Sequence, residues 1–242
     1  MKPLLRSFLP FLFLATVPSC CPVAPSTAVQ PVTQRVVLVH GFMETGSTFK
    51  MLRQRLEKRN VKVLVAKLKH KDGRGGLENL ASHLKQDIDK EFGTEAPISI
   101  VAFSMGGLVS REYLQNQGGA ARCENLITVS SPHNGTNAAF CYPTQGVKEM
   151  RPGSDFLRNL HLTQSRLGKM PVVSYRTPMD LVILPPSSSV WDRAENLEYP
   201  VILHPMMLTS ASVLDDIERR LVTPSPENER PRLPVTGGRG RL

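Results

Sequence analysis

Six short apolar runs divide the chain between residues 36 and 204. Each is rich in valine, isoleucine or leucine and nearly continuous in hydrophobicity, which is typical of strands buried on both faces of a parallel sheet. The predicted strands are Val36–His40, Val61–Ala66, Ile98–Phe103, Leu126–Ser130, Val172–Tyr175 and Val201–His204.

Amphipathic stretches separate these runs. In the clearest of them, Leu77, Leu80, Leu84 and Ile88 recur at spacings of three and four, so they share one face of a helix. Strand and helix alternate as in a single α/β domain with right-handed crossovers, and we expect mainly parallel strands in the order 2-1-3-4-5-6. The predicted helices are Phe49–Lys58, Leu77–Phe92, Gly106–Gln115 and Ser210–Leu221.

The stretch Ser131–Met170 interrupts this alternation, because it contains no clear strand. Its apolar side chains are sufficient for a small cap over a site at the strand ends, and its glycines and prolines divide it into short pieces. The alternative is a surface excursion whose apolar residues only cover the sheet. Both interpretations stay open from the sequence.

The two ends of the chain differ from the middle. Lys2 and Arg6 precede the apolar run Phe8–Val17, which is too short to span a bilayer and predicts an export signal over residues 1–28. Cleavage near Ala28 and lipoprotein processing at Cys20 are both open, so we expect a secreted or periplasmic protein that is free or membrane-anchored. Residues 223–242 lack a core-forming pattern and predict a flexible tail.

The composition and the net charge of the chain limit the partners that it can bind. The chain has 242 residues, 40% of them hydrophobic, which excludes wholesale disorder, and its formal net charge is +9. This excess of positive charge could favour phospholipid or nucleic acid. Because aromatic residues are only 6% and the basic residues are scattered along the chain, we expect no nucleic-acid partner. Contact with a membrane surface is left open.

Cysteine use follows from the predicted export. Of four cysteines, Cys123 and Cys141 remain once residues 1–28 are removed. In an oxidising compartment a disulfide between them is reasonable, and two free thiols are the alternative. A bond would tie the start of the insertion at 131–170 to the predicted sheet.

The strongest chemical signal is the sequence VAFSMGG at residues 101–107. A strand ends at Phe103, Ser104 follows, and a helix begins within two residues, which is the context of a nucleophile elbow. Such a tight turn needs small residues two places before and two places after the serine, and Ala102 and Gly106 meet that need. A serine that only caps the following helix is the alternative, although capping does not require small neighbours.

A second signal lies at the end of the first predicted strand, where VVLVHGF occupies residues 36–42. Acyl transfer needs two fixed N–H donors for the developing oxyanion. The Met105 amide lies just after Ser104 at a helix start, and the Phe42 amide lies in the loop beside Gly41. We expect His40 to brace that loop rather than to act as a base.

Together with SPHNGT at residues 131–136, these segments resemble the α/β-hydrolase superfamily, in particular secreted bacterial lipases and esterases. The resemblance extends from about Arg35 to Leu221. It implies an α/β-hydrolase fold with a minimal six-stranded sheet in a catalytic domain at 29–222. It also implies Ser104 as nucleophile, an acid after the fifth strand and a histidine after the last.

Asp180 and His204 occupy those two positions in the expected order. Asp192 is the second candidate for the acid, whereas Asp215 and Asp216 follow His204 and violate the order. Among the other histidines, His133 lies in the SPHNGT segment, where we expect it to shape the pocket or turn.

The implied activity is hydrolysis of carboxylic esters, with a lipid-like small molecule as substrate and an acyl-enzyme intermediate. This mechanism implies no cofactor, and no His/Cys/Asp cluster in the sequence has metal-ligand spacing. An acyltransferase or thioesterase on the same fold is the alternative activity. A hydrolase-fold binding protein without catalysis is the alternative of a different class.

Overall fold

The computed structural model describes residues 33–222. The predicted export signal at 1–28 and the predicted tail at 223–242 lie outside these residues. Within the described part, no helix is both long and apolar enough to cross a bilayer.

The core element is a sheet of six strands that all run parallel, in the order β2-β1-β3-β4-β5-β6. This confirms the predicted order. The four central strands are almost entirely buried, as their continuous apolar runs indicate. The strands are β1 Arg35–Val39, β2 Lys62–Val65, β3 Ile98–Phe103, β4 Cys123–Val129, β5 Val172–Arg176 and β6 Glu195–Glu198.

The prediction of a last strand at Val201–His204 was wrong. The sixth strand is Glu195–Glu198, and among residues 33–222 it pairs with β5 alone, from Val173 opposite Glu195 to Arg176 opposite Glu198. An edge strand has one face and one side open to water, so its sequence is polar and carries no apolar run. The apolar Val201–Leu203 segment lies in a loop, and a short 3₁₀ helix begins at His204.

Helices cover both faces of the sheet. One face is packed by α2, α3, α4 and α5, and the other by α1 and α6, so that two separate apolar clusters form. The helices are α1 Lys50–Lys58, α2 Leu77–Phe92, α3 Met105–Asn116, α4 Gln145–Glu149, α5 Asp155–Leu162 and α6 Ala211–Val222.

The insertion at 131–170 has no strand, as expected, and forms α4, α5 and two 3₁₀ helices. It is fastened to the loop before α2: the Gly146 amide donates to Gly73 O (2.8 Å), and the Thr144 hydroxyl donates to Asp72 O (2.7 Å). Its buried side chains belong to the same apolar cluster as α2 and α3. The segment is therefore held by packing and hydrogen bonds.

The expected disulfide is not formed, because Cys123 and Cys141 are both free. Cys123 begins β4 at the amino edge of the sheet, and β4 is about 20 Å long at roughly 3.3 Å per residue. Cys141 lies at the carboxyl edge, where its neighbour Tyr142 packs against Phe42 with ring centroids 5.2 Å apart. A disulfide needs Cα atoms within about 7 Å, so this topology excludes it.

The packing of α3 controls the position of Ser104. The helix begins immediately after β3 and passes across the end of β1. A Cβ atom placed on Gly106 would lie 2.3 Å from Val39 O and 2.7 Å from His40 O. Both are backbone atoms that cannot move without shifting β1, so the first turn of α3 requires glycine at this point.

Gly106→Ala should therefore destabilise the protein by at least about 2 kcal/mol, although alanine is the better helix former. Urea unfolding followed by circular dichroism measures the change. Gly75→Ala is the matched control, because its new methyl would meet only the Asn79 side-chain amide, and it should stay within about 0.5 kcal/mol of wild type. Equal stability of the two variants would contradict the argument from close packing.

Candidate active site

Ser104 lies in a strained turn at the carboxyl end of β3. Its φ of 53° is in the left-handed region, which a residue with a side chain adopts only when its surroundings enforce it. The Ser104 amide donates to Val129 O (2.9 Å), and the Ser104 carbonyl accepts from the Gly107 amide (3.0 Å). The turn lifts the side chain above the end of the sheet, as the sequence motif predicts.

Asp180 and His204 form a buried pair next to this turn. His204 Nδ1 lies 2.8 Å from Asp180 Oδ2, and the imidazole packs on the ring of Phe103 at a centroid distance of 4.7 Å. Because Phe103 directly precedes Ser104, the pair lies at the same edge of the sheet as the serine. The loops after β3, β5 and β6 thus bring the three predicted residues to one place.

The second oxygen of Asp180 is also occupied. Asp180 Oδ1 accepts from the amides of Val182 and Ile183, both at 2.9 Å. Burial raises the pKa of Asp180, but the hydrogen bond and charge of His204 and these two amides outweigh it and hold the pKa below its ordinary value. The carboxyl group is therefore ionised at neutral pH.

The SPHNGT segment holds the loop that carries Asp180. The Thr136 hydroxyl donates to Val182 O (2.8 Å) and accepts from the Leu184 amide (2.9 Å), while the Asn137 amide donates to Leu184 O (2.8 Å). The SPHNGT segment thus fixes the loop that carries Asp180, which we call the acid loop. The spacing of the motif alone did not indicate this role.

The loop after β1 lies against the serine. A Cβ atom on Gly41 would be 3.0 Å from Ser104 Cβ, so the backbone at 41–42 passes directly beside Ser104. Among the described residues, neither the Phe42 amide nor the Met105 amide donates a hydrogen bond. Both amides predicted to bind the oxyanion are therefore free to donate to a ligand. The Met105 amide also lies at the start of α3, where the helix dipole favours negative charge.

Glu44 is a neighbour that sequence reasoning missed. Its Oε2 accepts from the Gly41 amide (3.0 Å), which closes the loop that carries Phe42. Burial raises the pKa of Glu44, opposed by the Gly41 hydrogen bond and the charge of His204. No motif marked this residue, because its role depends on the four-residue turn from Gly41 to Glu44.

An apolar cavity of about 210 Å³ opens beside Ser104. Its walls come from the loop after β1, the insertion and the acid loop, so the insertion does contribute to a pocket. The lining residues are Phe42, Ser104, Pro132, Thr136, Ala138, Ala139, Tyr142, Val147, Met150, Val182 and Ile183.

A family model described as palmitoyl protein thioesterase matches residues 35–169, which is more than half of the chain. The chain belongs to the palmitoyl protein thioesterase family. The matched range includes Phe42, Ser104 and Met105, and it ends before Asp180 and His204.

Solved structures agree on the fold. The mature form of Bacillus licheniformis lipase BlEst2 has a TM-score of 0.66 at 15% identity, over 79% of this chain and 93% of that chain. Aspergillus fumigatus lipase B has a TM-score of 0.57 at 14% identity, over 79% of this chain and 58% of that chain. Comparison with curated protein sequences gave no match. Together these findings confirm the α/β-hydrolase fold of this thioesterase-family member.

The rival candidates lie elsewhere in this family member. Asp192 is exposed and its side chain accepts no hydrogen bond from a histidine within residues 33–222. His133 is fully buried beneath the site, with Nε2 3.0 Å from the Thr128 hydroxyl and its ring 4.7 Å from that of Trp191. The position of His133 agrees with the expected structural role.

Arg111 is the second residue that sequence reasoning missed. It is fully buried on α3, donates to Leu160 O (3.0 Å) and to Gln115 Oε1 (3.0 Å), and lies 3.3 Å from His133 Nδ1. Its guanidinium stacks 4.1 Å from the ring centroid of Trp191. Burial lowers the pKa of Arg111 to about 9, and no carboxylate of the described residues pairs with it. The guanidinium ties the insertion to α3 and to the loop after β4.

His133 gives the protein a predictable acid sensitivity. Burial, followed by the charges of Arg111 and His161, lowers the pKa of His133 well below its ordinary value. Below about pH 6.5 the unfolded chain therefore binds one more proton than the folded chain. For this group, the free energy of unfolding decreases by roughly 1.4 kcal/mol for each unit by which the pH is lowered. We expect His133→Gln to remove about that slope in urea unfolding at pH 5 to 6.

His70→Gln is the control for this measurement, because His70 is exposed on a loop. It should retain the wild-type slope. A wild-type slope in His133→Gln would assign the acid sensitivity to another group, such as His40, whose pKa burial also lowers.

Proposed function

We propose that the protein is a serine hydrolase that cleaves lipid-like carboxylic esters through Ser104, His204 and Asp180. One observation carries the proposal: the 2.8 Å His204–Asp180 pair lies beside the strained Ser104 turn at the mouth of an apolar cavity. The family and the fold supply the general class of ester hydrolase.

In the first half of the reaction, His204 Nε2 takes the proton of Ser104 as the hydroxyl oxygen attacks the ester carbonyl. Asp180 Oδ2 accepts a hydrogen bond from His204 Nδ1–H, which fixes the imidazole orientation, and the ionised carboxylate stabilises the charged form of the ring. The bond to the leaving-group oxygen then breaks, and His204 donates its proton to that oxygen. Water attacks the acyl-enzyme in the second half, with His204 again as base.

The Phe42 and Met105 amides hold the negative oxygen that forms on the carbonyl carbon. Such donors act most strongly when they are fixed before the reaction. Met105 is fixed by the start of α3, and the loop of Phe42 is fixed by the hydrogen bond from Gly41 to Glu44 (3.0 Å). Glu44 is thus a positioning residue for the oxyanion site.

A thioesterase activity is the second candidate, and the palmitoyl protein thioesterase family match favours it. The same residues serve both reactions, because an ester and a thioester give the same acyl-enzyme. The leaving group alone differs, being an alcohol in one case and a thiol in the other.

Exposed apolar side chains around the site support a lipid-like substrate and contact with a membrane surface. Among the described residues, all large exposed apolar side chains except Met51 and Leu162 lie in loops and short 3₁₀ helices at the carboxyl edge of the sheet. Such a concentration of apolar surface is typical of an interaction site. The residues are Met43, Phe140, Tyr142, Met179, Leu181, Val182, Ile202, Leu203 and Met206.

The triad is tested by single substitutions. Ser104→Ala and His204→Ala should each lower kcat for p-nitrophenyl butyrate by at least about a thousand-fold, because each removes a group that acts only in the transition state. Asp180→Asn should be the most damaging change of an acid. Circular dichroism and thermal unfolding establish that each variant is folded.

Asp192→Asn is the matched acid control and should retain near-normal activity. A fluorophosphonate should label wild type at Ser104 and fail to label Ser104→Ala. A folded wild type that neither hydrolyses esters nor reacts with the probe would favour a binding protein over an enzyme.

The cavity predicts the acyl length. A cavity of about 150 Å³ accommodates benzene, so about 210 Å³ corresponds to roughly eight carbons. In a panel of p-nitrophenyl esters from two to sixteen carbons, kcat/KM should be greatest between four and eight. Ala139→Phe, which fills the cavity, should move the optimum to shorter chains, and an optimum at sixteen carbons in wild type would contradict this reading of the cavity.

A further inference from the structure

A second concave surface adjoins the site on the side away from the acyl cavity. A groove of about 790 Å³ opens between the start of α1 and the loop after β2, and it extends to His40 and Glu44. Its floor includes Val65, Ala66 and Leu68. The proposed reaction uses none of its charged side chains except Glu44.

The groove is strongly basic. Five cationic side chains and two carboxylates line it, and one of the carboxylates, Glu57, is paired with Arg53 at 2.7 Å. Four lysines then face a single carboxylate, Glu44. In the part of the chain that the structure describes, none of the four forms an ion pair. They are Lys50, Lys67, Lys69 and Lys71.

The groove is joined to the reacting centre by the loop that carries Phe42. The Met43 amide donates to Lys71 O at 2.9 Å, so the lysine segment and this loop are hydrogen-bonded to one another. Burial lowers the pKa of His40, one residue before Gly41, and the charge of Lys71 lowers it further. At its inner end the groove is lined by Glu44, which interacts with the charge of His204.

The cavity and the groove are placed to bind different halves of a substrate. The acyl chain enters the 210 Å³ cavity, whose lining comes mainly from the insertion and the acid loop. The leaving-group oxygen must receive its proton from His204, and the groove reaches Glu44, whose carboxylate lies beside Gly41 on the loop that packs against Ser104. An anionic group on that half of the substrate would therefore meet the unpaired lysines.

We propose that the groove binds a phosphate carried by the leaving group of the substrate, an inference that rests on the proposed function. In the reaction, the bond from Ser104 Oγ to the carbonyl carbon forms and the carbon–leaving-group bond breaks. The proton of Ser104 passes through His204 to the departing oxygen or sulfur. The phosphate takes no covalent part, and the lysines hold it by charge.

A matched pair of esters tests the groove. The substrates 1-octanoylglycerol and 1-octanoylglycerol 3-phosphate, both below their critical micelle concentrations, differ only in the phosphate. Wild type should show a kcat/KM at least about ten-fold higher for the phosphorylated ester at low salt. The ratio should fall as sodium chloride rises from about 20 to about 300 mM, because exposed charges are screened.

The variant Lys50→Gln/Lys67→Gln/Lys69→Gln should lower this ratio at least about five-fold. The control is Lys58→Gln/Lys62→Gln/Lys90→Gln, which removes the same number of charges outside the groove lining and should keep the wild-type ratio. Thermal unfolding of both variants checks that the fold is intact. Equal ratios in the two variants would overturn the proposal.

A second pair identifies the source of the phosphate. Octanoyl-coenzyme A and the octanoyl thioester of N-acetylcysteamine share the reacting thioester, and only the first carries phosphates. A preference in the glycerol pair alone supports a phospholipid-type substrate, and a preference in both pairs supports either source of phosphate. No preference in either pair overturns the proposal. Hydrolysis of the neutral ester by wild type, with fluorophosphonate labelling of Ser104, tests the proposed function separately.

Discussion

The close approach of α3 to the end of β1 is the constraint on which the site depends. Gly106 leaves no space for a side chain against Val39 O, and a Cβ atom on Gly107 would lie 2.1 Å from Ser131 Oγ. With the helix pressed against both neighbours, the chain has only one residue in which to turn from β3 into α3. Ser104 absorbs that turn as a left-handed residue, at a cost of about 1–3 kcal/mol, which the buried packing of α3 offsets.

The same packing places the two amides that we propose as oxyanion donors. Because α3 begins at Met105, its first amide points out of the helix beside Ser104 without an internal partner. The β1 loop reaches the same point, since Gly41 lies against Ser104 Cβ and Glu44 closes the turn behind it. A buried arginine fixes the insertion in a similar way. Arg111 donates a hydrogen bond to Leu160 O, which helps to hold the insertion against α3 without a disulfide.

The sequence predicted the parts of this structure that local pattern determines. Buried strands have continuous apolar runs, and a nucleophile elbow needs small residues at fixed positions, so β1, β3 and the Ser104 turn could be located. The edge strand β6 could not be located, because an exposed strand is polar. The apolar segment Val201–Leu203 has the composition of a strand but lies in a loop. The sequence also did not predict the roles of Glu44 and Arg111 or the presence of the lysine groove, for other reasons. The contacts of Arg111 and the groove depend on which distant segments meet, because Lys50 on α1 joins the run Lys67, Lys69 and Lys71 only when the chain is folded. The role of Glu44 depends on a local turn to Gly41 that no motif marks.

Two carboxyl groups lie near His204, and their surroundings separate their roles. Asp180 accepts hydrogen bonds from the His204 ring and from two amides, so its pKa stays below the ordinary value despite burial. Glu44 accepts one amide, and burial dominates, so its pKa is raised. A carboxylate that is ionised and bonded to Nδ1 can stabilise the charged imidazole of the transition state. Environment rather than residue type thus makes Asp180 the partner of the histidine and Glu44 the support of the loop.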